Sequence, residues 1–487
     1  MTTTDQAYRL YIDGEWVEPA AGSYAVVNPA TEQAVGQAPE ASPDQVREAV
    51  NAARTAFKSW SRTRPADRAE VMNRIGELLD KYNDELVPLV QAETGATQRV
   101  ASTMQVPVCI ERFRRYARHA VENHDIPLPP QVAQATPLAP GGLIGALAAR
   151  QPVGVVACIT PYNFPLVNMA GKIAPALAMG NTVVIKPAPQ DPLAVLRFAE
   201  IAAEAGLPPG VLNVVTGSGA EAGQALVEAD IDMVSFTGST PVGTKIAETA
   251  GRGMKRLLLE LGGKGAGVVF EDADIGAAVT GIGSTWAFHS GQICTAPTRA
   301  IVHRSVHDEF VTKLAGFAKV LKVGDPLAPD TVVGPLISEL QRGRVESLLG
   351  SGRDEGAELV VGGDRPELET GYYVNPTLLD GVRIDMSVAQ EEFFGPVVVV
   401  LTFDDEDEAI DIANGTPFGL YDYVYTADAG RGYRVARQLR SGNVGINTAQ
   451  RNHEAPFGGF KMSGVGRDGG VFGLYAYSEL QSIVWPS

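Results

Sequence analysis

Cysteine is scarce in this chain of 487 residues. Its three cysteines, Cys109, Cys158 and Cys294, are widely separated, odd in number and free of any CxxC pair. That pattern excludes a disulfide framework and suits a reducing compartment, so a cytoplasmic protein is expected. Long apolar runs are missing as well, and nothing approaches the ~18 residues needed to span a bilayer. The opening MTTTDQAYRLYIDGEW has neither a basic n-region nor an apolar h-region, so no secretory leader is expected. Basic residues are in deficit, and a formal charge of -17 argues against nonspecific binding to nucleic acid or anionic membranes. Histidine is sparse too. His303 and His307 could share a helix face, but no cysteine or carboxylate cluster completes a site, so no metal is expected.

What is present is a globular composition rich in Gly and Ala, with 45% hydrophobic and 20% charged residues, on a chain too long for one ordinary domain. Ser42-Pro43 reads as an N-cap followed by proline at the first helical position. Val46, Val50, Ala53, Phe57 and Trp60 then recur at helical spacing. A second helix is predicted over 68–93, kinked at Pro88 and stopped by Gly95, and a third over 100–123. The stretch 126–149 is rich in Pro, Gly and Ala, and by composition reads as an exposed connection.

From Gln151 strands and helices alternate. Strands are predicted at 153–159, 182–186, 211–215 and 233–236, each followed by a helix. That rhythm means right-handed βαβ crossovers and a parallel sheet covered on both faces. A second α/β unit begins after Leu257, with strands at 267–270, 300–303, 397–402 and 442–447.

Ligands of open α/β sheets sit outside the strands' carboxyl ends, so the residues there carry the weight. FTGSTPVG (236–243) runs from strand through a glycine turn to a helix, which presents backbone N–H groups to a pyrophosphate. TGSGAEAG (216–223) is a second, weaker turn of this kind. Lys186 ends a strand in VVIKPAP and can meet a ribose or phosphate. Asn163, in the proline-bounded loop ITPYNFP, can donate to a developing oxyanion, worth roughly 3–4 kcal/mol where it is real; a turn-stabilising Asn is the commoner case. Glu260 lies in ELGGK and Cys294 in SGQIC, flanking an apolar helix. A thiol near its ordinary pKa is mostly protonated at neutral pH, and a nearby carboxylate can help it or activate water later. By residue type alone, a packed cysteine and an ordinary glutamate fit as well. His289 is close to Cys294 in sequence, but nothing places its ring beside the sulfur.

Taken in order, PYNFP, KPAP, FTGST, ELGGK, GQIC, EEFFGPV and PFGGFKMSG resemble the aldehyde dehydrogenase superfamily along nearly the whole chain. The resemblance implies a Rossmann-like dinucleotide-binding domain (1–125 and 151–257), an α/β catalytic domain (258–465) and a small β oligomerisation element (126–150 and 466–487). The last replaces the exposed connection suggested by composition. Cys294 matches the family's nucleophile, and Glu260 the base that activates water to hydrolyse a thioester. Asn163 matches the oxyanion donor and Lys172 a supporting residue. For the cofactor, NAD, the resemblance implies roles for Thr160, Lys186, Gly219, Gly238, Ser239, Gly243, Leu261, Glu392 and Phe394. Pro189 stands where NAD-preferring relatives often have Glu, which leaves NADP open. Asp468 stands where many relatives have Glu in a proposed proton relay, which puts that role in doubt.

The implied reaction oxidises a small-molecule aldehyde to its acid, in a homodimer or homotetramer. Alternatives are a CoA-acylating dehydrogenase, against which Glu260 argues, and a noncatalytic nucleotide-binding relative. No paired arginines stand near the motifs, so an apolar aliphatic or aromatic aldehyde is expected. Phe164, Phe288 and Phe457 either line its tunnel or belong to the core.

Overall fold

A computed structural model describes residues 8–486; the first seven, part of the stretch read for a leader, and Ser487 lie outside the described residues. Ser42 caps the first helix as expected: its side chain accepts from Gln45 N while the Gln45 side chain accepts from Ser42 N. This capping box satisfies two otherwise orphaned donors.

Two predicted helices are each broken. The run over 68–93 is two helices, Pro65–Lys81 and Asn83–Thr94, and the break falls at Tyr82 while Pro88 stays inside the second. Between Gln98 and Ala120 the chain makes a wide π segment, Ala101–Gln105, before the helix Val106–Ala120. Pro107 has no N–H to continue a regular ladder, and the wide turn absorbs the mismatch.

The first large sheet has eight strands. Its order is Gly464–Val465, Arg256–Glu260, Met233–Thr237, Val155–Ile159, Thr182–Lys186, Leu212–Val214, Leu10–Ile12 and Glu15–Val17. The five central strands run parallel. The chain enters at Val155–Ile159, builds outwards on one side, then returns to build on the other. The crevice between Val155–Ile159 and Met233–Thr237 is therefore a topological switch point, where ligands of such sheets bind. The sheet takes in Arg256–Glu260, so it runs past the boundary expected after residue 257. Seven strands make the second sheet, all parallel except the edge strand Glu358–Val361. Strand Tyr421–Tyr425, not foreseen from the sequence, lies within it.

The Pro/Gly-rich stretch is no loose connection. Ile126–Ala133 and Gly142–Pro152 are antiparallel strands, and Ser478–Pro486 pairs along the second of them. Among the described residues, no helix is long and apolar enough to cross a membrane.

Candidate active site

Glu260 is the last residue of its strand, beside Thr237 on one side and Gly464 on the other. Its side chain is 5% exposed, and neither carboxyl oxygen has a hydrogen-bond partner. Burial, reinforced by Asp468, holds its pKa well above the usual carboxylate range. An unpartnered buried carboxyl group is costly, so its retention needs a reason beyond packing.

Cys294 follows a strained approach. His289, Ser290 and Gly291 have successive φ values of 49, 56 and 70°, a left-handed run that costs roughly 1–2 kcal/mol for each non-glycine residue. Ser290 Oγ donates to Gly334 O at 2.8 Å, and Gln292 Oε1 accepts from Ile337 N at 3.0 Å, which ties the loop down. A Cβ on Gly291 would overlap the Gly395 carbonyl. The Cys294 thiol is pushed up to about 12 by desolvation and by Glu392, against an opposing pull from Arg451. Cys109 and Cys158 are fully buried in the core.

Asn163 comes to the same place from the other sheet crevice. Its Nδ2 donates to Gln292 O at 2.8 Å, two residues before the cysteine. His289 does not pair with Cys294; burial keeps its ring neutral, with a pKa near 4, and Nε2 donates to Asn163 O at 2.7 Å. Gln105, on the π segment, also reaches Asn163 O. Lys172, from the helix Pro165–Met179 that follows Asn163, donates to Ser235 Oγ at 3.2 Å, which in turn meets Tyr477 OH at 2.7 Å. Burial lowers the Lys172 pKa, against the charge of Asp468, Cys158 and Glu260. Asp468 Oδ1 accepts from Gly469 N, and its negative charge bears on both Glu260 and Lys172.

Most cofactor candidates follow strands of the first sheet, while Glu392 and Phe394 precede the strand Val397–Phe403 of the second. Thr160 Oγ1 is buried without a partner, and its N–H donates to Lys186 O. Lys186 Nζ reaches only backbone carbonyls, Pro187 at 3.3 Å and Gly217 at 3.2 Å, and burial lowers it to about 8. Gly219 lies in the adjoining loop. Gly238 cannot carry a Cβ without meeting the Phe236 ring at 2.5 Å. Gly243 lets the helix Thr240–Gly251, which follows Ser239, close against Leu261. Glu392 Oε1 accepts from Gly263 N at 3.0 Å, and burial raises its pKa to about 7. Phe394 has a φ of 49° and packs edge-on to Tyr162.

Several residues went unnoticed in the sequence. A Cβ on Gly262 would lie 2.5 Å from Glu392 Oε2, and one on Gly263 would overlap Cys294 O, so ELGGK is where three loops meet. Ser463, in PFGGFKMSG, donates to Gly262 O at 2.6 Å and holds that turn from behind. Lys264 is fully buried, lies 4.5 Å over the Phe393 ring, and has an unpartnered Nζ. Burial lowers it to about 7. Glu40 accepts from Ser218 N with both carboxylate oxygens, each at 3.0 Å, beside the Lys186 end of the sheet. The signal for the glycines was their adjacency to Glu260; for Glu40 there was none.

Known proteins resemble this chain throughout. A 3-succinoylsemialdehyde-pyridine dehydrogenase from a Pseudomonas species is 39% identical over 480 residues, covering 98% of each chain. Among solved structures, HpcC from Thermus thermophilus superposes with a TM-score of 0.94 at 38% identity, covering 99% of this chain and 94% of its own. The NAD+ complex of an aldehyde dehydrogenase from Bacillus cereus gives 0.93 at 38% identity, covering 99% and 97%. The sequence model described as "Aldehyde dehydrogenase family" matches residues 16–483, and this chain belongs to that family of oxidoreductases.

Proposed function

We propose that this enzyme oxidises an aldehyde to the carboxylic acid with NAD as acceptor, through a thioester on Cys294. The observation that carries the reading is Glu260: a buried carboxyl with both oxygens free, on the strand whose following glycines pack against Cys294. Attack by Sγ on the carbonyl carbon forms a C–S bond, releases the thiol proton and moves the carbonyl pair onto oxygen. Asn163 has one amide hydrogen committed to Gln292 O and a second to offer that oxygen. Lys186, Glu392, Phe394 and the turns at Gly219 and Gly238–Gly243 would hold the dinucleotide; unpartnered Thr160 Oγ1 and Lys186 Nζ, bonded only to carbonyls, fit such a group. When bound, it supplies the acceptor for the hydride lost by the captured aldehyde. The acyl group then left on Sγ is a thioester. Glu260 takes a proton from water, the resulting hydroxide equivalent attacks, and the C–S bond breaks with return of a proton to sulfur. A carboxyl with a raised pKa is a better base once ionised.

NAD is favoured over NADP. Pro189 removes the carboxylate that relatives often use, but Glu40 places another near Lys186, whose pKa it raises. A 2′-phosphate would meet that negative charge. The division into dinucleotide-binding and catalytic domains follows the two large sheets. The three-stranded sheet carries exposed Ile126, Val132, Ile483, Val484 and Trp485, and such an apolar surface supports a homo-oligomer. Free, largely buried cysteines suit the cytoplasm. Replacing Cys294 by Ala tests the reading: aldehyde-dependent reduction of NAD should vanish, and retained turnover would overturn it.

A further inference from the structure

The structure gathers two arginines that the sequence keeps far apart. Arg451 follows the strand Asn443–Ile446, and its guanidinium lies 3.9 Å over the Phe457 ring. The next residue, Gly458, is so close to Glu260 that a Cβ there would sit 2.9 Å from Oε1. Phe457 packs against the cluster that contains Tyr421 and Tyr423, and Tyr423 OH donates to Thr295 O at 2.9 Å, one residue past Cys294. Arg451 thus lies close enough to the reacting pair for its charge to bear on both Cys294 and Glu260.

Arg112 approaches from the helix Val106–Ala120. Its Nη1 donates to Val167 O at 2.8 Å, on the helix that also carries Lys172, and occupies the space where Gly171 has no side chain. Burial, and after it the charge of Arg112, depresses the Arg451 pKa. Neighbouring basic side chains already have acidic partners: Arg115 pairs with Glu111 and Glu454, Arg118 with Glu111, and His119 meets Glu122 and Glu454. Arg467 gives its Nη1 to the carbonyls of Gly459 and Gly466. Among the described residues, Arg112 and Arg451 have no carboxylate within ion-pair distance. The nearby acids are Asp468, whose Oδ2 would lie 3.3 Å from a Gly171 Cβ, and Glu260, whose pKa burial raises.

Two mutually repelling guanidinium groups beside a nucleophile are unfavourable unless an anion joins them. A chain with a net charge of -17 has ample acids to neutralise such a pair, yet among the described residues none forms an ion pair with either guanidinium. We propose that Arg451 and Arg112 bind a carboxylate at the far end of the substrate, so that this enzyme acts on ω-carboxy aldehydes. This reverses the expectation of an apolar aldehyde and rests on the reading of Cys294 and Glu260 given above. The guanidinium fork matches a carboxylate in two parallel hydrogen bonds, which supplies orientation as well as affinity. The same charges repel aldehydes that carry a quaternary ammonium group.

The test compares succinic and glutaric semialdehydes with their methyl esters and with betaine aldehyde on the native enzyme, with NAD saturating. The proposal expects kcat/KM for at least one acid to exceed that of its ester by about tenfold or more, mainly through KM, with betaine aldehyde poorest. In Arg451→Met the acid-to-ester ratio should fall towards one, and Arg451→Lys should restore part of it. Arg112→Met should lower the same ratio. Esters oxidised as well as the acids, or an unchanged ratio in both Met variants, would overturn the arginine assignment while leaving aldehyde oxidation intact. No oxidation of any aldehyde in the panel would instead count against the cysteine reading.

Discussion

Gly263 and Cys294 touch through their backbones: a Cβ on Gly263 would overlap the carbonyl oxygen of Cys294. The glycine belongs to the turn after Glu260, and its N–H is held by Glu392 Oε1 at 3.0 Å. Glu260, Cys294 and the Glu392 loop are thereby held in register by the absence of a side chain. Gly263→Ala must push the cysteine loop away. A displacement near 1 Å in a reacting group costs roughly 100-fold in rate, so kcat for this variant should fall about that far while the fold, read by circular dichroism, stays native. Wild-type kcat would show that the contact does not set the geometry.

The buried Glu260 carboxyl also makes a prediction about stability. Its folded pKa is raised, so above the ordinary carboxylate range the folded state binds more protons than the unfolded one, and stability falls as pH rises towards the folded value. Glu260→Gln removes that penalty. The variant should melt higher than wild type at pH 8, by roughly 1 °C or more for a chain of this size, and the difference should vanish near pH 4. A lower melting temperature at pH 8 would mean that the carboxylate is stabilised by contacts absent from this account.

Val484, 60% exposed on the strand Ser478–Pro486, tests the three-stranded sheet as an assembly surface. A charge placed in a buried apolar interface is strongly destabilising, whereas the same change on a free surface is nearly neutral. Val484→Glu should therefore shift sedimentation towards the monomer. An unchanged oligomer would place the interface elsewhere.

Much of the architecture was legible because it is written locally. Ser42-Pro43 announces one helix start, Gly180 the left-handed stop of another helix, Pro165–Met179, and continuous apolar runs mark the buried parallel strands. Glu260, Cys294, Asn163 and Lys172 were picked out by motif resemblance, and the fold brings their strands and loops to one switch point. What the sequence concealed is set by distant partners. Strand Tyr421–Tyr425 carries Asp422 within a short aromatic run rather than a continuous apolar one, and is fixed by pairing on both sides. The stretch 126–149 has the composition of a connection and becomes sheet by folding back on itself and by pairing with the distant Ser478–Pro486. Arg112 and Arg451 show no local pattern at all, since their proximity depends on how a helix and a late loop meet.

In the proposed reaction the acyl group rests on Cys294 until water removes it. Glu260→Gln, mixed rapidly with aldehyde and NAD and quenched in acid, should yield intact protein whose mass has risen by one acyl group, with the label mapped by peptide mass spectrometry to Cys294. It should accumulate to nearly one equivalent while NADH forms in a single burst. Steady turnover by this variant with no acyl adduct on Cys294 would contradict the account.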